Sequence, residues 1–217
     1  MFSVRWGTYT SRITTSLESL QSVALASASP RRRELLASVG LRVAVVPSAY
    51  DERPIAGISP LDLALTHARG KAAGAAPSDD LIIAADTVVD LDGRALGKPA
   101  DMAEAAAMLR SLSGRWHAVH TAFALRNDRT AASYTEAVST RVRFAELSDE
   151  AIRSYAATGD GLDKAGAYGI QGFAATLIER IDGDYFTVVG FPLSAFAHAL
   201  PQVGYVLNPA RSEVLVR

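Results

Sequence analysis

Short apolar runs alternate with capped helical segments along almost the whole sequence, and this alternation constrains the fold more than any other feature. Val23–Ala26 reads as a strand. Ser29-Pro30 then supplies N-cap and first helical position for a helix to about Val39, stopped by Gly40. Val43–Val46 is a second strand. Ser59-Pro60 opens another helix, with Leu61, Leu65, Ala68 and Ala72 spaced along one face. Leu81–Ala85 is uninterruptedly apolar, as a buried central strand would be. Asp92-Gly93 predicts a hairpin turn, and Asp101 with Glu104 predicts the start of a helix over Met102–Leu112. Trp116–Leu125 and Ser133–Phe144 read as long strands joined by Arg126–Thr130, and Ser148 caps a short helix to about Thr158. Phe173–Ile181 and Tyr185–Val189 read as a hairpin around Asp182-Gly183, before a last helix opened by Pro192. Helices mixed with hairpins predict one α/β unit with a mixed sheet.

Composition narrows the function. The 217 residues can bury a core without metals or disulfides. Lys and Arg number 22 against 23 Asp and Glu, a net charge of −1, so the basic excess of a general nucleic-acid binder is missing. There is no cysteine, hence no disulfide framework, thiolate metal site or cysteine nucleophile, which fits a reducing compartment. No apolar run reaches the roughly 18 residues of a membrane helix. Residues 1–20 differ from the rest: they are rich in Ser and Thr, carry Arg5 and Arg12, and have no acid before Glu18. They read as a leader outside a domain of residues 21–217, either disordered or an organellar presequence.

Four segments carry candidate chemistry. Ser27-Ala28-Ser29-Pro30-Arg31-Arg32-Arg33 joins a strand to a helix. Cations in a first helical turn oppose the helix dipole by roughly 0.3–1 kcal/mol each, so their presence there points to an anion, held by backbone N–H groups, hydroxyls and guanidinium forks. Successive helical residues point about 100° apart, so the three arginines cannot all face one ligand. Asp86 follows Leu81–Ala85, at the strand end where open α/β sheets bind ligands. It reads either as a metal ligand or general base, or as a capping acid. Gly93–Pro99 fails as a P-loop, having three residues between its glycines and Pro99 after Lys98. Lys98 is either a phosphate contact or a solvated loop lysine. Gly166–Gly172 holds three glycines, and its Gln171 offers an amide suited to a nucleobase edge. His117 and His120 fall on opposite faces of their strand and read as structural.

Taken in order, S-x-S-P-R-R, A-D-T, G-K-P, A-G-x-Y-G-I-Q-G and V-G-x-P-L resemble the Maf family of nucleotide pyrophosphatases, from about Val23 to the final helix. The resemblance implies an elongated mixed β-sheet flanked by helices with a central cleft, similar to the inosine triphosphate pyrophosphatases. It implies hydrolysis of a nucleoside triphosphate to monophosphate and pyrophosphate with a divalent cation, Mg²⁺ before Mn²⁺ or Co²⁺. By motif, Ser27, Arg31 and Arg32 would hold the triphosphate, Asp86 would be the acid–base residue, and Lys98 and Lys71 would act beside it. Glu52 with Asp86 would hold metal. Gly70 stands before Lys71 where relatives often carry a polar residue, which leaves the aim of Lys71 open. Asp163–Gly172 resembles the branch acting on dTTP and UTP, in which Arg31, Thr87 and Gln171 would set base choice. A homodimer, a cytoplasmic location and a link to cell-division arrest are also implied, with no nucleic acid or membrane as partner. The alternatives are a nucleotide-binding division regulator with little turnover, and the branch of the family that takes 7-methyl-GTP.

Overall fold

The computed structural model describes residues 18–53 and 55–208. In chain order the strands are β1 (Glu18–Ser19), β2 (Ser22–Leu25), β3 (Arg42–Val45), β4 (Leu81–Leu91), β5 (Arg94–Leu96), β6 (Trp116–Asn127), β7 (Ala132–Phe144), β8 (Ile178–Asp182) and β9 (Tyr205–Val206). The helices are α1 (Pro30–Ser38), α2 (Pro60–Gly74), α3 (Met102–Leu112), α4 (Asp149–Ala157), α5 (Tyr185–Val189) and α6 (Leu193–Ala199). The main sheet runs β3-β2-β4-β6-β7-β8, with β5 added to β4. β3, β2 and β4 are parallel, while β5, β6, β7 and β8 join by antiparallel pairs, so the sheet is mixed as expected. None of the helices among the described residues is long and apolar enough to cross a membrane.

Side-chain caps set the helix starts that the sequence predicts. Ser59, Asp101 and Ser148 accept from the backbone N–H groups of Asp62, Glu104 and Ala151 at 3.1, 2.8 and 3.1 Å. Asp92 and Gly93 both take positive φ, 54° and 81°, the geometry of a two-residue turn matching strand twist.

Four expectations need correction. β4 does not end at Ala85 but continues to Leu91, because β6 pairs with it without a break from Ile82 to Asp90. The buried face of α2 is Pro60, Ala64, His67, Ala68, Lys71 and Ala72; Leu61 and Leu65 are only partly buried. The hairpin around Asp182-Gly183 does not form: Gly172–Leu177 is 3₁₀, and Tyr185–Val189 is helical. There the Asp184 carboxylate accepts from both the backbone N–H and the hydroxyl of Thr187 at 2.7 Å, and this cap overrides a β-prone sequence. Finally, the ordered fold starts before residue 21. β1 pairs with β9, and Leu20 is buried among core residues. The rest of the expected leader, residues 1–17, lies outside the described residues, as do Pro54 and residues 209–217.

One sheet face packs on α2 almost entirely through alanines: Ala64, Ala68 and Ala72 of the helix against Ala24, Ala84, Ala122 and Ala124 of the strands. Side chains this small let the helix axis approach the sheet closely. The other face carries larger groups. Phe123 packs with Phe191 and Phe196 near α6, and Phe144 with Tyr155 and Tyr168 near α3 and α4.

Both strand histidines are structural, as expected. His120 meets Ser139 at 2.7 Å and Asp90 at 3.2 Å. His117 is buried between the ring edges of Phe144 and Tyr168, with Nε2 2.7 Å from the Tyr168 hydroxyl and Nδ1 without a partner among the described residues. Burial holds its pKa down at about 4, against 6.5 in the free side chain. The ring is therefore neutral in both states above about pH 6.5. As pH falls toward 4, the unfolded chain takes up a proton that the native state refuses. Stability should drop over this window by up to about 1.4 kcal/mol per pH unit. Denaturant midpoints measured at neutral pH and near pH 5 should show a shallower fall in His117→Phe than in the parent. Equal slopes would contradict the assignment.

Candidate active site

The site lies at a gap in the sheet. On one edge of β4, pairing with β2 ends at Leu25 with Ile83, and pairing with β5 begins at Val89 with Leu96. The opposite edge is paired with β6 throughout. Between them, Ala84–Val88 presents an open edge, and a cleft of about 1070 Å³ runs past it. Every site residue expected from the sequence lines this cleft: Ser27, Arg31, Arg32, Glu52, Lys71, Asp86, Thr87, Lys98 and Gln171. Asp86 is thus not at a strand end. It sits in mid-strand, where one neighbouring strand has stopped and the next has not begun. Alternation turns Asp86 toward α2 and Thr87 toward the opposite face, and at the gap both line the cleft.

The aim of Lys71, open from sequence, is settled by α2. Its Nζ lies 2.7 Å from Asp86 Oδ1 and 2.8 Å from Glu52 Oε2. Lys71 and Asp86 are both buried, so each charge depends on the other, and removing either would strand its partner in a poor solvent for ions. Burial pushes the Glu52 carboxyl up, but the Lys71 hydrogen bond and charge, with His67 and Lys98 beyond, outweigh it and hold Glu52 below the usual range.

Glu52 is delivered by a loop seated on a bare patch of α2. The Tyr50 ring lies directly on Gly70: a Cβ there would fall 2.2 Å from Tyr50 Cε2. The Tyr50 hydroxyl shares a 3.0 Å hydrogen bond with His67 Nδ1 one turn earlier. Ser48 Oγ donates to Lys71 O at 2.9 Å, and Ala49 N–H donates to Gly74 O at 2.9 Å. The missing side chain at Gly70 is what admits this aromatic ring.

Arg32 is buried, and its guanidinium has no carboxylate in contact among the described residues. Nε donates to Gly190 O at 3.0 Å, Nη1 to Ser27 Oγ at 2.9 Å and Nη2 to Thr87 Oγ1 at 3.0 Å. Burial lowers its pKa, opposed by the nearby Asp86 charge, yet a guanidinium stays charged. Three of its five N–H groups are used, which leaves two for an anion. The start of α1 lines the same cleft at Ser29, Pro30 and Arg31, adding backbone N–H groups and the helix dipole. Arg31 is half-buried and Arg33 is exposed and points away, as helical spacing requires.

Two residues at the mouth had no role assigned from sequence. Asp163 meets Arg31 at 3.4 Å and Lys164 Nζ at 2.7 Å, so it ties the opening of α1 to the glycine-rich loop. Burial raises the Asp163 pKa, but Lys164 and Arg31 together carry it below the usual range. The Asp-Lys pair heads the motif around Gln171, the one sequence signal that could have marked it.

The donor set suits a hard divalent cation. Glu52 and Asp86 supply carboxylate oxygens that converge on one ammonium, and each keeps a second oxygen. Mg²⁺ characteristically takes one or two carboxylates and completes its shell with substrate phosphates and water. Among the described residues there is no cluster of three or more His, Asp or Glu that could hold a metal alone.

Comparison with known proteins identifies the family. The family described as Maf-like protein matches residues 22–203. A dTTP/UTP pyrophosphatase of Geobacter sp. (strain M21) is 46% identical over 189 residues, which cover 86% of this chain and 98% of that protein. A dTTP/UTP pyrophosphatase of Symbiobacterium thermophilum is 47% identical over 189 residues, covering 86% and 96%. A HAM1 protein from Coxiella burnetii superposes with a TM-score of 0.43 at 16% identity, over 85% of this chain and 93% of that one.

Gly70→Ala should force the Tyr50 ring off α2 and destabilise the protein, the overpacking cost of about 1–3 kcal/mol outweighing the roughly 1 kcal/mol that alanine contributes to a helix. Tyr50→Ala in the same background should restore part of that loss. Chemical denaturation of the two single variants and the double variant measures the coupling, and Gly70→Ala at parental stability would remove the close approach from the account.

Proposed function

The chain belongs to the Maf-like protein family, and from that premise we propose that it hydrolyses dTTP and UTP to the monophosphate and pyrophosphate. The observation that carries this reading is the pairing of Asp86 and Glu52 on one buried ammonium, in a single cleft with a guanidinium that has no carboxylate partner among the described residues. Such a site offers carboxylates to water and metal on one wall and cations to phosphate on the other. Relatives 46% and 47% identical over most of their length, named for this activity, support the substrate class.

In this reading Arg31, Arg32, Ser27 and Lys98 bind the triphosphate, joined by the N-terminal N–H groups of α1. Lys71 orients Asp86 through Oδ1 and keeps one N–H free for a phosphate oxygen. Asp86 takes a proton from the water that attacks the α-phosphorus. The bond from that phosphorus to the bridging oxygen breaks, and pyrophosphate leaves with its charge met by the arginines and lysines. A divalent cation bound by Glu52, Asp86 and substrate would neutralise charge on the phosphates. Gln171 and Thr87 face the cleft as readers of the base. The homodimer and cytoplasmic location that the resemblance implies remain part of the proposal.

Pyrophosphate release from a panel of nucleoside triphosphates, with and without Mg²⁺, tests the reading. Metal-dependent release concentrated on dTTP and UTP is expected. Release confined to 7-methyl-GTP would overturn the substrate, and tight binding without release would overturn the enzyme. Asp86→Asn should lower kcat by about 10²-fold or more with the fold intact; near-parental turnover would take Asp86 out of the proton-transfer role. Gln171→Ala should shift the ratio of kcat/KM between pyrimidine and purine substrates more than it changes the rate with dTTP. An unmoved ratio would sink its assignment as a base reader.

A further inference from the structure

Thr121 lies on β6, one strand behind the open edge of β4, with no exposed surface. Its hydroxyl donates to Thr187 O at 2.7 Å and lies 2.9 Å from Thr87 Oγ1. A threonine hydroxyl has one hydrogen to give. Thr121 gives its hydrogen to the carbonyl, so the bond between the two hydroxyls must run from Thr87 to Thr121. Thr87 has then used its own hydrogen and meets Arg32 Nη2 as an acceptor, at 3.0 Å. The chain is polarised end to end: guanidinium to Thr87, Thr87 to Thr121, Thr121 to the Thr187 carbonyl.

Its far end matters equally. Thr187 belongs to α5, a helix of five residues whose last carbonyls have little intrahelical pairing to rely on. Gly190, just past that helix, accepts from Arg32 Nε at 3.0 Å. Thr121 therefore governs two of the three oxygens around Arg32, one by direct contact and one by anchoring α5. The third, Ser27 Oγ, is independent of it.

We propose that Thr121 is a positioning residue for triphosphate binding: it fixes the direction of the hydroxyl relay, and through Thr87 and Gly190 it aims the Arg32 guanidinium into the cleft. This rests on the reading of Arg32 as a phosphate ligand. Thr121→Val keeps the shape and removes both hydrogen bonds, while Thr121→Ser keeps the hydroxyl. Thr121→Val should lower kcat/KM for dTTP about tenfold, the scale of one or two hydrogen bonds to a charged group's partners, with most of the loss in KM. Thr121→Ser should stay near the parent. In an Arg32→Met background the valine substitution should have no further effect, because there is no guanidinium left to aim. Should Arg32→Met not fold, a Thr87→Val background serves: it breaks the Thr87 arm and leaves the Gly190 arm, so the valine substitution should there cost less than in the parent.

The same cycle is run on binding of inorganic pyrophosphate by calorimetry. Thr121→Val equal to the parent, or the same loss in both backgrounds, would overturn the proposal. An inactive parent whose pyrophosphate affinity still falls in Thr121→Val, with no further fall from Arg32→Met to the double variant, would overturn the catalytic reading and leave the positioning role standing.

Discussion

The contact on which the site depends is the Lys71 ammonium held between Asp86 and Glu52. Lys71 and Asp86 are buried and Glu52 is half exposed; the buried pair is stable only if its geometry is tight, because desolvation of each buried ion costs several kcal/mol and mutual attraction must offset it. Two features supply that tightness. The alanine interface lets α2 lie close to β4, so that a lysine on its buried face reaches a carboxylate in mid-strand. The Gly70 patch lets the Tyr50 loop lie flat on the same helix, so that Glu52 arrives from the other side. Small residues on one helix thus bring both carboxylates to a single ammonium.

The second constraint is topological. A parallel neighbour stops at Ile83 and an antiparallel one starts at Val89, which opens the central strand at Asp86 and Thr87. Because side chains alternate across a strand, one pair of adjacent residues serves both faces. Asp86 joins the carboxylate and lysine wall under α2, and Thr87 joins the arginine wall under α1. The two walls are built from separate cores, and they meet only where the sheet is interrupted.

Much of this was legible in the sequence. N-caps at Ser59, Asp101 and Ser148, the turn at Asp92-Gly93 and the apolar run at Leu81–Ala85 are local signals, and each produced its element. Misreadings came where a local signal competes with a partner distant in sequence. Tyr185–Val189 has strand-like residues, but the Asp184 cap made it a helix. Asp86 looked like the end of a strand because a charge interrupts the apolar run, whereas Lys71 makes that charge acceptable inside one. The strand formed by Glu18–Ser19 depends on Tyr205–Val206 at the far end of the chain and has almost no signature of its own.

By itself, then, the sequence determined the α/β class, the family, and which side chains were available for chemistry, since these follow from periodicity, capping and ordered motifs. Only the tertiary structure decided how they work together. The sharing of Lys71 by two acids, the seating of Tyr50 on Gly70, and the relay from Arg32 through Thr87 and Thr121 to Thr187 join residues up to 155 positions apart. A hydrogen bond or ion pair requires placement to a few tenths of an ångström, and over such separations that placement is set by packing of whole helices against the sheet, which no local pattern encodes.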